Sequence, residues 1–213
     1  MPLLQNNESY TIRGTLDLTS GTTTFKSGSI SRSTLSQEVL AEVGIPVTDL
    51  RTWDDLTAFL PGTAATDDLA IIEGTWGTDN PTAQSSDGKA TTITQYARLP
   101  GLVVGNEFDT GETMQLRVRG GMITTVSDGT ATVDVEAYVN DGDGGVGSDL
   151  CTTAAQSINS LTKANRDFTI DTSSLAHGDI IDIRLTVAIT DTATATAVIG
   201  EISKITLLRD VKG

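Results

Sequence analysis

The 213-residue sequence predicts an all-β protein folded as an antiparallel β-sandwich, and three observations predict it. Threonine is abundant, in stretches such as TSGTTTF and DTATATAV, and Thr, Val and Ile are residues that suit a pleated surface. Several segments alternate apolar and polar residues with the period of two that is typical of a strand buried on one face. Turn residues bound each segment, and strands do not alternate with helices, which favours an antiparallel sandwich.

Residues 1–65 differ from the rest, and we interpret them as an N-terminal arm with short strands and a helix near 34–43. The predicted helix has one apolar stripe, and Gly44 followed by Pro46 supplies a stop. A helix of about three turns is marginal alone, so we expect it to pack on another surface. The stripe consists of Leu35, Val39, Leu40 and Val43.

Residues 66–213 are predicted to form the sandwich from seven or eight strands. The clearest strand is 131–139, where Val133, Val135, Ala137 and Val139 share one face and polar residues the other. Residues 178–190 have the same pattern, with Ile181, Ile183, Leu185 and Val187 on one face. The pair Gly120–Gly121 is interpreted as a bulge or a hairpin turn within the segment 112–126.

Charge and composition exclude several classes of function. The net charge is −14, whereas binding to nucleic acid depends on Lys and Arg that neutralise phosphate, so neither nucleic acid nor an anionic membrane is an expected partner. One cysteine excludes an internal disulfide, and one histidine removes most zinc sites. The sequence begins without a signal peptide and has no apolar run long enough to span a membrane, so we expect synthesis in the cytoplasm without Sec-dependent secretion.

The stretch NDGDGGVGSD, residues 140–149, resembles a calcium site more than any other segment does. An EF-hand loop started at Asp141 places glycine and valine at the fifth and sixth positions, where an oxygen ligand and glycine are needed. GGVGSDLC matches one copy of a calcium β-roll repeat, but such repeats bind calcium between stacked copies, and only one is present. We therefore expect a glycine-rich turn without metal, with Asp141, Asp143 and Asp149 as weak calcium candidates.

The sequence predicts no catalytic residues and no cofactor. His177 has Asp179 nearby, but no serine lies in a GxSxG turn. The many acids guarantee that some carboxylate pair lies at a glycosidase-like distance, so such a pair would be weak support. Two Trp and three Tyr offer few stacking platforms for a sugar, and Trp53 and Trp76 are predicted to be core anchors.

Three phrases of the sequence resemble a group of tailed-bacteriophage virion proteins that are similar to capsid decoration, or cement, proteins. The phrases begin TDLRTWDDLTAFLPGT, MITTVSDGTATVDVEAY and DIIDIRLTVAITDTAT, and the resemblance covers most of residues 48–200. It implies a jelly-roll-like β-sandwich with an N-terminal extension, and a homotrimer on the capsid surface that binds the major capsid protein and stabilises the shell. The candidates for docking to that partner are Leu35, Val39, Leu40, Val43 and Trp53.

Two other functions remain open at this point. One is a tail-fibre or receptor-binding β domain that recognises a host glycan or surface protein, which would need a ligand groove and aromatic platforms. The other is a β-sandwich hydrolase, which would need two convergent carboxylates in a pocket.

Overall fold

A computed structural model of the protein describes residues 40–55, 57–108, 111–140, 147–193 and 196–210, all within the unit Val39–Gly213. These residues form ten strands and one short 3-10 helix, Val47–Asp49. The strands are β1 (Leu40–Ile45), β2 (Ala70–Ile72), β3 (Thr82–Gln84), β4 (Thr92–Val103), β5 (Met114–Thr124), β6 (Gly129–Asn140), β7 (Gln156–Ser157), β8 (Ala164–Ile170), β9 (Ile180–Asp191) and β10 (Ile199–Asp210).

Two antiparallel sheets pack face to face, so the predicted all-β sandwich is confirmed. The six-stranded sheet has the order β2-β3-β10-β5-β8, with β1 also paired to β10, and the four-stranded sheet has the order β4-β9-β6-β7. At Gly200 of β10 a Cβ would come within 2.8 Å of Val187 on β9, so the two sheets meet closely there. The apolar side chains between the two sheets are removed from water, and this burial is the main driving force for folding.

The period-two patterns predicted the strands that supply the core. Val133, Val135 and Ala137 on β6 are buried, and so are Ile183 and Leu185 on β9. In both strands the intervening residues are partly exposed on the outer face. The alternation thus places one face of the four-stranded sheet in the core and leaves the other for polar and aromatic side chains.

The glycine pair of β5 is neither a hairpin nor a break in the strand. β5 continues through Gly120 and Gly121, and the bulge lies opposite, where Ser203 of β10 is the extra residue between the pairs formed by Ile202 and Lys204. A Cβ on Gly121 would approach both Lys163 and Ser160 to about 3.1 Å. The glycine therefore lets the segment after β7 cross close to β5.

The described part of the predicted arm belongs to the sandwich. β1 pairs along its length with β10, and Val47, Leu50 and Leu60 are core residues. The predicted boundary at residue 65 therefore does not coincide with an edge of the core. The helix predicted over 34–43 is wrong for its last four residues, which lie in β1; residues 34–39 lie outside the described ranges.

The physical reason is pairing with a distant strand. Leu40 and Val43 are three apart, so a helix would place them on one face, whereas a strand turns them to opposite faces. Backbone pairing with β10 outweighs the helical pattern of so short a segment.

Candidate functional site

The docking candidates predicted from the sequence do not form one stripe in the structure. Leu35 and Val39 lie outside the described residues. Leu40 and Val43 are 38% and 39% exposed on β1, and no other described strand pairs with the outer edge of β1. Trp53 lies outside β1, on the loop that follows the 3-10 helix, and is half-buried.

Trp53 packs on the outer face of the four-stranded sheet. The loop that carries it is hydrogen-bonded to the edge of β4, with Arg51 N donating to Arg98 O at 2.8 Å and Arg98 N donating back at 3.0 Å. Trp53 N also donates to the Asp68 carboxylate at 2.8 Å. The ring of Trp53 lies 5.7 Å from that of Tyr96, centroid to centroid. This loop therefore covers the edge of β4 and places an indole over the sheet.

An arginine joins this indole to the next strands. The Arg184 guanidinium of β9 lies 4.5 Å from the centroid of the Trp53 ring and 5.2 Å from that of Tyr96. It also forms an ion pair with Glu136 of β6, whose carboxylate accepts a hydrogen bond from Tyr138 at 3.3 Å. We call Trp53, Tyr96, Glu136 and Arg184 the arginine cluster. Its charges are matched internally, which suits a brace between loop and sheet better than a ligand site.

Two titratable groups on the outer face of β6, Asp134 and Tyr138, have raised pKa values. Burial raises the pKa of the Asp134 carboxyl above its usual range, and the nearby charges of Glu136 and Asp149 add to this. Burial is also the main reason why the pKa of the Tyr138 hydroxyl is raised. Asp134 and Glu136 share a face of β6, but Glu136 forms an ion pair with Arg184. The two carboxylates therefore do not resemble the acid and base pair of a glycosidase.

The weak calcium candidates divide between described and undescribed residues. Asp141 and Asp143 lie outside the described ranges. The Asp149 Oδ1 atom accepts hydrogen bonds from Ala137 N and Cys151 N, each at 2.9 Å. Within the described ranges, His, Cys, Asp and Glu side chains nowhere gather in the groups of three that a metal ion would need. Asp149 thus has a structural role that accounts for an acid at this position.

The single histidine is exposed and contacts a backbone carbonyl, whereas the single cysteine is half-buried. His177 Nε2 lies 2.9 Å from Phe108 O, and the Asp179 carboxylate accepts a hydrogen bond from Ala176 N at 2.8 Å. Burial raises the pKa of the Cys151 thiol to about 11, so it remains protonated at neutral pH.

The main concavity of interest is a groove of about 880 Å³ on the outer face of the six-stranded sheet. One wall is the end of β1 with Pro46 and Val47, and the opposite wall is the loop from β2 to β3. Its polar floor consists of Gln84, Arg119, Lys163, Glu201, Ser203 and Lys204. The sequence gives no signal for this groove because its floor comes from four segments that are far apart in the chain.

Trp76 lies on the loop that forms the second wall and is 97% exposed. The prediction that it anchors the core is therefore wrong. The reason is local: Gly74 and Gly77 have φ of +68° and +80°, and the loop closes on itself through a hydrogen bond from Thr75 N to the Asp79 carboxylate at 2.9 Å. The closed turn directs its tip, which carries the indole, into solvent.

Comparisons with known proteins concern the fold alone. No family model matches the chain, and a search of curated proteins likewise gives no match. Among solved structures the chain is similar to the "xylan-binding module CBM15" (12% identity, TM-score 0.45, covering 82% of this chain and all of that one). It is also similar to the CBM22-1 xylan-binding domain of Paenibacillus barcinonensis Xyn10C (14%, 0.41, 81% and 99%) and to a structure of infectious bursal disease virus, Gx strain (11%, 0.36, 76% and 35%).

The described part of the chain also contains no helix of the length and apolar character needed to cross a bilayer.

Proposed function

We propose that this chain is a structural protein of a tailed-bacteriophage virion, a decoration protein that binds the major capsid protein and stabilises the shell without catalysis. The sequence resemblance to that group of virion proteins supports the assignment. So does the architecture, in which a large aliphatic core and two broad sheets favour a durable scaffold. The proposed location is the capsid surface, the proposed partners are the major capsid protein and two further copies of the chain, and neither nucleic acid nor membrane is bound.

The proposal depends mainly on one observation: no described strand pairs with the outer edge of β1. Its backbone groups on the side away from β10 face no described strand, and Leu40 and Val43 flank that edge with more than a third of their surface exposed. An exposed strand edge with apolar side chains on both faces suits a partner that adds a strand of its own. We assign this edge to a segment of the capsid subunit.

The absence of catalysis is proposed because the charged groups of the outer faces stabilise the fold. Asp182 pairs with Arg98, Asp167 with Arg117 through two hydrogen bonds, and Glu136 with Arg184. Carboxylates held in ion pairs favour the charged form and do not act readily as general acids.

Binding to shells that lack the protein tests the assignment of the β1 edge. Purified full-length chain is mixed with such shells and sedimented, and the bound fraction is measured against concentration. We expect Val43→Lys to weaken binding at least about tenfold, because a charge at an edge opposes strand addition. Ile123→Lys, at an exposed position on β5, is the matched control and should bind like the unmodified chain. Equal binding by both variants, or no binding by the unmodified chain, contradicts the proposal.

A further inference from the structure

The exposed indole of Trp76 stands on a turn that is held in place. Thr75 O accepts a hydrogen bond from Asp79 N at 2.9 Å, and Thr75 N in turn donates one to the Asp79 carboxylate at 2.9 Å. A Cβ at Gly74 would come within 2.4 Å of the Asp79 side chain, so the turn closes tightly around this aspartate. Trp is enriched at interfaces because its ring offers a large apolar surface and an N–H donor, so a fully exposed indole on a fixed turn is a candidate contact for a partner.

The groove beside this turn has the size of a ligand site. Its volume of about 880 Å³ lies within the range of roughly 300–1,000 Å³ typical of small-molecule pockets. Gly74 and Thr78, on either side of Trp76 in the chain, both line it. The turn that carries the indole therefore forms part of the wall of the groove, while the indole itself lies in solvent.

The charges of the groove nearly cancel. Three cations, Arg119, Lys163 and Lys204, and two carboxylates, Asp79 and Glu201, leave one net positive charge. Lys163 Nζ and Glu201 Oε1 are 2.6 Å apart on the floor, where the Glu201 side chain is only 8% exposed. The floor thus presents donors and acceptors together, without a strong preference for an ion.

A neutral chain of sugars fits these features. Each hydroxyl both donates and accepts a hydrogen bond, which matches a floor of amide, carboxylate, ammonium and guanidinium groups. The apolar face of a sugar ring stacks on an exposed indole in the way other apolar surfaces do. A long polyanion would instead meet the field of a protein of net charge −14. We propose that this groove binds a neutral saccharide, with Trp76 as the stacking platform at its rim.

This activity is separate from attachment to a shell, since β1 contributes to the groove only through its last residue, Ile45. By binding a saccharide in this groove, the protein would recognise a polysaccharide surface in addition to its proposed role on the capsid shell.

Calorimetric titration of the full-length protein tests the proposal. The probes are xylohexaose, cellohexaose and maltohexaose, with polygalacturonate as the anionic comparison. We expect saturable binding of at least one neutral hexasaccharide. Trp76→Ala should weaken it about tenfold, because it removes the large apolar surface on which the sugar ring stacks. Lys204→Ala should weaken it less, and Phe59→Ala, which removes an exposed aromatic that packs on Arg51 instead, should leave it unchanged.

Thermal unfolding of Trp76→Ala should match that of the unmodified chain, because a fully exposed side chain contributes little to the core. Three results overturn the proposal: no binding of any neutral hexasaccharide at millimolar concentration, equal binding by Trp76→Ala, or binding of polygalacturonate alone. Loss of shell binding by Trp76→Ala, with no saccharide bound by either protein, would assign the indole to a protein contact and overturn it as well.

Discussion

Asp149 is predicted to stabilise the fold as a hydrogen-bond acceptor for the backbone and not as a metal ligand. Its Oδ1 atom accepts from Ala137 N, near the end of β6, and from Cys151 N, two residues further along its own segment. Leu150 N also donates to Ala137 O at 2.8 Å, so the carboxylate completes a small set of bonds that fastens this segment to the strand.

The expected loss in Asp149→Ala follows from these two bonds. Hydrogen bonds to a charged group contribute about 1.5–3 kcal/mol each, and Asp149 is exposed to solvent, so we expect a total loss of about 2 kcal/mol. For a chain of this length that corresponds to a fall in Tm of about 4–8 °C. Asp149→Asn keeps an acceptor oxygen and should lose less than half as much.

Thermal and urea unfolding, each in millimolar calcium and in chelator, measure the effect. The loss in Asp149→Ala should be the same with and without calcium, and Asp54→Ala, at another exposed aspartate, should change stability by less than about 0.5 kcal/mol. Stabilisation of the unmodified chain by calcium that disappears in Asp149→Ala would refute this reasoning. So would a variant as stable as the unmodified chain.

Three further predictions concern the core, the thiol and an ion pair. Leu185→Ala removes a fully buried side chain between the sheets and should cost about 2–5 kcal/mol in urea unfolding, whereas Ile180→Ala, exposed on the same strand, should cost less than about 1 kcal/mol; equal losses would contradict the assigned faces of β9. Because burial raises its pKa to about 11, Cys151 should react with iodoacetamide at neutral pH at least about tenfold faster in the unfolded than in the folded protein, and equal rates would show that it is accessible. The hydrogen bond from Arg117 lowers the pKa of Asp167 in the folded state, so this pair stabilises fully above the unfolded pKa of about 4 and loses its contribution as pH falls through the folded value. The stability difference between the unmodified chain and Asp167→Asn should therefore be constant from neutral pH down to about 4 and shrink below it, and a difference that grows in acid would refute the assignment.

The strands that supply the core could be predicted from the sequence because burial of one face imposes a period of two on side-chain polarity. The alternation is regular over the whole of β9 and from Ala131 to Tyr138 in β6, and the faces predicted from it are those that pack in the core.

Most features that could not be predicted from the sequence depend on contacts between distant segments. Leu40 and Val43 fit a helical stripe, and only pairing with β10, more than 150 residues further along the chain, makes their segment a strand. The arginine cluster likewise requires the registers of β4 with β9 and of β6 with β9, which place Tyr96, Arg184 and Glu136 side by side. The exception is Trp76: its residue type predicts a core position, whereas two positive-φ glycines and one aspartate in its own turn decide its exposure.

The central claim is that this molecule acts by attachment to a protein shell. Electron cryomicroscopy of purified virions that carry the protein tests it most directly. The account predicts density for many copies of the two-sheet sandwich across the head, grouped as trimers, with the β1 edge facing the capsid lattice. Virions with bare heads, or with a few copies of this sandwich only at the tail, would contradict it.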